Sequence, residues 1–135
     1  MTKKTATLFN TVPEKDPIGF LRHGIYDYKK PAEILGFRTD DVAAAANVPK
    51  NSVRYDLKMP QELKDRIGEW AMAIIQVANF FKGNIDKTML WFQLPNPMLG
   101  NISPRDMIRL GRFKKLDKFI KSALDMFGGR VVREG

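Results

Sequence analysis

Along most of this chain apolar residues recur at spacings of three and four, the period of helices that bury one face. The longest run, MPQELKDRIGEWAMAIIQVANFFKG, spans residues 59–83 and puts Leu63, Ile67, Trp70, Ile74, Val77 or Ala78, and Phe81 on one stripe, with Gly83 as its stop. IDKTMLWFQ, residues 85–93, reads as a shorter helix. RFKKLDKFIKSALDMF, residues 112–127, gathers Phe113, Leu116, Ile120, Ala123, Leu124 and Phe127 on one face and its lysines on the other, and Gly128 and Gly129 end it. Upstream, DPIGFLRHG reads as a short helix, with Asp16 as N-cap, Pro17 in the first helical position and Gly24 as a left-handed stop. KPAEILGF predicts a second, from near Pro31 to Gly36. RTDDVAAAANV predicts a third, with Thr39 as N-cap and Asp40 and Asp41 complementing the helix dipole. Period-two alternation is too short everywhere for a strand, TATLF being the faint exception. The expected fold class is all-α, with roughly six or seven helices.

Two patterns within this helical frame carry chemistry. The first is TDDVAAAANVPKNSVRYD, which meets the packing demands of a helix-turn-helix. Ala43 is small where two helices would cross, Asn47 tolerates the positive φ of the turn, Val48 plugs the core, and Val53 anchors a second helix that Pro49 would start. Val42 and Ala46 complete the inner face. On that second helix Lys50, Asn51, Arg54 and Tyr55 would face outward, with Arg54 and Asn51 suited to base edges and Lys50 and Lys58 to phosphates. The same packing also serves a structural αα-hairpin, and Asp40 and Asp41 would repel a DNA backbone.

The second pattern is LPNPMLGNISPRDMIRLGR, residues 94–112, which holds three of the eight prolines and two of the ten glycines. Pro95 and Pro97 cannot continue a helix. Met98 and Leu99 are expected to return to the core, Gly100 to permit a reversal, and Ser103 and Pro104 to start a short helix ended by Gly111. Arg105, Arg109 and Arg112 are spaced by four and three, which predicts one shared outward face.

Composition narrows the function classes. The 135 residues allow one compact unit or two small lobes around a shared core, and 44% apolar with 28% charged residues fits a globular protein. No run approaches the roughly 18 apolar residues of a membrane span. Thr5, Thr7, Asn10 and Thr11 interrupt what would be the apolar region of a secretory signal. Cysteine is absent, which excludes disulfides, thiol catalysis and thiolate metal sites, and fits the expected cytoplasmic location. His23 is the only histidine and reads as a surface or capping residue. No acid/base pair, activated nucleophile or ligand cluster stands out, so neither catalysis nor a metal or cofactor is expected. The net charge of +8 points to an anionic partner. Residues 101–121 carry seven Lys/Arg against two Asp/Glu, whereas residues 1–60 carry ten against seven. The surplus therefore sits mainly away from the helix-turn-helix pattern.

The second pattern, read as AxxxW[LF]xxPNxxLGxxxPxxMIxxGR, resembles the toxin-binding domain of the MbcA/ParS/Xre antitoxin family. Trp91, Phe92, Pro95, Asn96, Leu99, Gly100, Pro104, Gly111 and Arg112 fall in order, and PQELKDRIGEW resembles that family's helix after its helix-turn-helix. The likeness runs from about Ala32 to Met126. Asn101 stands where the family often has a second glycine, and Lys87 where it has an alanine. The resemblance implies a type II antitoxin that covers the active site of a RES-domain, NAD-degrading toxin. It also implies a homodimer that binds its own operator. It places Trp91, Asn96, Leu99, Gly100, Arg105, Arg109 and Arg112 at the toxin, and Lys50, Asn51, Arg54, Tyr55 and Lys58 at DNA. A stand-alone helix-turn-helix regulator is the alternative. The implied organisation is a flexible arm over 1–15, a helix-turn-helix lobe over 16–59, a helical toxin-binding domain over 60–127 and a C-terminal tail over 128–135.

Overall fold

The protein is all-α. The computed structural model describes residues 19–22 and 25–126, and the expectations for the arm, TATLF, Asp16, Pro17, His23, Gly24, Phe127 and the tail lie outside them. Six α-helices follow in order among the described residues: α1 (Lys29–Leu35), α2 (Thr39–Ala46), α3 (Gln61–Phe80), α4 (Ile85–Gln93), α5 (Pro104–Arg109) and α6 (Phe113–Leu124). Where a short helix is predicted over 16–24, the described part is instead a two-residue antiparallel ladder, with Leu21 opposite Tyr26 and Arg22 opposite Ile25. Gly19 at φ +80° turns the chain there, and the Asp27 N–H donates to the Phe20 carbonyl at 2.7 Å to close the hairpin.

α3 is the axle. It packs against α1, α2, α4 and α6, while α5 closes on α2, α4 and α6. The predicted stripe is buried at Leu63, Ile67, Trp70, Ile74, Val77 and Ala78, but burial also takes in Gly68, Ala71, Ala73 and Ile75. The small residues among these let neighbouring helices approach closely on more than one side. One core cluster runs from Phe20, Leu35 and Val42 through α3 to Phe92, Ile108, Leu116 and Ile120. The core is continuous across the expected boundary at residues 59/60.

Local chemistry explains the helix ends. α1 stops at Gly36 in the left-handed region (φ 71°), and its start is held by Asp27 Oδ1, which accepts from the Lys29 and Lys30 N–H groups at 3.2 Å each. α2 begins one residue earlier than expected: Thr39 is its first helical residue, and Asp41 reaches back to accept from the Arg38 N–H at 3.0 Å. Asn84 caps α4 and Ser103 caps α5 through their side-chain oxygens.

Burial separates residues that hold the fold from those that do not. Leu35 is fully buried and Leu57 fully exposed. Leu35→Ala is expected to cost about 2–5 kcal/mol and Leu57→Ala less than about 0.5 kcal/mol, measured by urea unfolding.

Candidate functional site

The helix-turn-helix pattern forms only in part. α2 and its turn are as expected: Asn47 is left-handed at φ 57°, and the Val48 N–H donates to the Ala43 carbonyl at 3.1 Å. Val42 and Ala46 are buried, and Val48 and Val53 pack against the core. The second helix is absent. In its place Lys50–Ser52 make one 3-10 turn, and Val53 then runs extended. The residues after Pro49 are poor helix formers (Asn51, Ser52, Val53, Tyr55, Asp56), and Pro60 biases Met59 away from helix, so too little chain is left to propagate one.

Two of the side chains assigned to DNA, Lys50 and Arg54, are engaged in ion pairs. Lys50 Nζ lies 2.7 Å from Asp40 Oδ1 on the surface. Arg54 donates from Nε and Nη2 to the two Asp56 oxygens at 2.8 and 2.6 Å, and the Lys58 N–H donates to the same carboxylate. The hydrogen bond from Lys50 holds the Asp40 carboxyl below its usual range, and that from Arg54 does the same to Asp56. Each pair therefore persists below the usual carboxylate range and opens as pH falls through its lowered value. Partial burial, and then Glu33, push the Tyr55 hydroxyl up. Asn51 is exposed, and these residues lie on a 3-10 turn and the irregular chain after it, not on one helix face.

The 94–112 stretch folds into a frame. The Asn96 N–H donates to the Ile102 carbonyl at 3.1 Å, while its own carbonyl accepts from Leu99 and Asn101, both at 2.9 Å. The Asn96 side chain also accepts from the Met98 N–H at 2.9 Å. Gly100 is left-handed at φ 75° and Asn101 follows at φ 65°. Asparagine tolerates that region better than most side chains, which is why it can stand where the resemblance expects glycine. Leu99 is half-buried, but Met98 is 77% exposed and, against expectation, does not return to the core. The 3-10 turn Pro97–Leu99 tips it outward. Leu94 and Leu110 are also exposed.

The three arginines do not share one outward face. Arg105 turns inward: its Nε donates to the Leu35 carbonyl at 2.6 Å and its Nη2 to the Gly36 carbonyl at 3.1 Å. Its guanidinium also lies 5.3 Å over the Phe37 ring, which meets Trp70 edge-on. The last carbonyls of α1 have no partner within the helix, and Arg105 supplies one. Arg109 pairs with Asp106 at 3.2 Å. Arg112 is exposed and, among the described residues, has no ion pair.

Arg109 and Arg112 instead border an open cleft of about 980 Å³ between the end of α2, the first half of α3 and the α5–α6 junction. Arg66, Lys114 and Lys115 also line it, against Glu62 and Glu69. No local pattern joins Arg66 to this group, because only packing brings α3 to the α5–α6 junction. Arg66 Nε is buried without a hydrogen bond; Glu69 Oε1 lies 3.3 Å away but off line. The cations at the start of α6 oppose its dipole, at about 0.3–1 kcal/mol each. α1 has Asp27 at its start, α2 to α5 have acids in their first turns, and α6 has none. Along the later turns of α6, Trp91, half-buried and edge-on to Phe92, borders an apolar groove of about 200 Å³ with Phe80, Phe81 and Phe119.

No family model matches this chain, and no curated protein or solved structure does either. No helix among the described residues is long and apolar enough to cross a membrane.

Two measurements check these assignments. Arg105→Ala is expected to lose about 2–3 kcal/mol of stability in urea, with Arg105→Lys regaining only part because one ammonium cannot fork to two carbonyls. Replacing Asp40 and Asp56 together by Asn frees Lys50 and Arg54, so non-specific duplex binding should tighten and its log–log salt slope steepen by about two; an unchanged slope would show that the pairs do not restrain these cations.

Proposed function

We propose that this chain is a non-catalytic antitoxin of the kind its Trp91–Arg112 pattern resembles, neutralising a RES-domain, NAD-degrading toxin by covering its active site. The observation that carries this reading is the 94–112 frame. Its hydrogen bonds and capped turns fix a backbone that leaves Leu94, Met98 and Leu110 exposed in the same segment as Arg109 and Arg112. A rigid surface that joins uncovered apolar side chains to guanidinium groups suits a protein interface, where preorganisation lowers the cost of binding.

Within this reading the seven residues assigned to the toxin divide by role. Arg109 and Arg112 are the polar contacts. Asn96 and Gly100 shape the turn, and Arg105 holds the frame to α1. Trp91 and Leu99 are half-buried supports. Homodimerisation and operator binding belong to the same proposal. The stand-alone regulator is the less supported reading, because Lys50 and Arg54 are ion-paired and no recognition helix is formed.

The test is co-expression with the protein encoded beside this gene. The two proteins should co-purify, growth inhibition by the neighbour should be relieved, and joint reversal of Arg109 and Arg112 to Glu should weaken the complex on the order of tenfold or more. A neighbour that is not toxic, or that stays toxic on co-expression, would sink the reading.

A further inference from the structure

The cleft between α2, α3 and the α5–α6 junction combines three features. Its cations come from three places in the fold: Arg66 from α3, Arg109 from α5, and Arg112, Lys114 and Lys115 from the start of α6. Among the described residues no carboxylate pairs with Arg112, Lys114 or Lys115, and Arg66, although ion-paired with Glu69 at 3.3 Å, makes no hydrogen bond through its buried Nε. Folding does not favour cations at the positive end of a helix dipole, so their placement is a local conflict of the sort that marks a working surface.

We propose that this cleft is the docking site for an acidic segment of a protein partner, whose carboxylates are gripped by Arg66, Arg112, Lys114 and Lys115. Forked guanidinium groups suit carboxylates. Glu62 and Glu69 on the same walls suit a peptide, which offers backbone N–H donors between its carboxylates, and they would repel an unbroken line of phosphates. Shape points the same way. A duplex is read by a ridge that enters its groove, and a cleft offers none. A single strand needs exposed aromatic platforms, whereas in this wall Trp70 is buried and Phe113 is half-buried against the core. The inference deepens the antitoxin reading by naming the partner's chemistry, and it rests on that reading only in taking the partner to be a protein.

The experiment uses the full chain and a labelled peptide of alternating Glu and Leu, with fluorescence anisotropy at low salt. The controls are the same peptide with Gln for Glu, and a random DNA duplex. The acidic peptide should bind. Joint Arg112→Glu and Lys115→Glu reversal should weaken it roughly tenfold or more, while Lys87→Glu on α4 should leave it unchanged. Circular dichroism of the reversed variant checks that it folds, and Arg66→Gln gives a second reading from a different helix. The proposal is overturned if the acidic peptide does not bind, if the Gln peptide binds as well, if the reversal has no effect, or if the duplex binds more tightly with the same sensitivity. A non-toxic neighbour would remove the antitoxin reading and leave this result standing, and a failed peptide would do the reverse.

Discussion

The Arg105 guanidinium ties the chain together. Donating to the carbonyls of Leu35 and Gly36 and stacking over Phe37, it joins the start of α5 to the end of α1 across some 70 positions of sequence. The proline-rich frame hangs from one side of that contact, and the Phe37–Trp70 pair at the heart of α3 from the other. An arginine is required because a planar fork can reach two carbonyls while keeping its face on a ring.

The segment between Pro49 and Pro60 obeys a different constraint. It is bounded by residues that discourage helix and filled with residues that gain little from one. Its charges then settle with their nearest acids, Lys50 with Asp40 and Arg54 with Asp56. The result is a surface loop in which Lys50 and Arg54 are paired and from which the hydrophobic Leu57 stands clear.

Much of this was legible in the sequence. The approximate extents of α3 and α4 follow from periodicity, the start of α5 from Ser103 as its cap, and the turns at Gly36, Gly100 and Gly111 from glycines that take the left-handed region, because those signals are local. Asn47 was legible for the same reason. What failed was tertiary or competitive. The spacing of Arg105, Arg109 and Arg112 is right for a common face, but spacing cannot show that an unsatisfied helix end lies within reach of the first. Helix-turn-helix packing residues are present, yet packing residues alone do not propagate a helix through Asn51, Ser52, Val53 and Tyr55. The basic cleft needed the one fact no local pattern contains, that α3 and the α5–α6 junction face each other.

The unneutralised start of α6 has a thermodynamic corollary. In the free protein its first turn carries a standing repulsion between cations and dipole, with no acid of its own to relieve it. Any anion seated there removes that repulsion, so occupancy and helix stability are linked quantities. α6 also supplies Leu116 and Ile120 to the core. An anion bound at that first turn would therefore add to the stability of the fold itself.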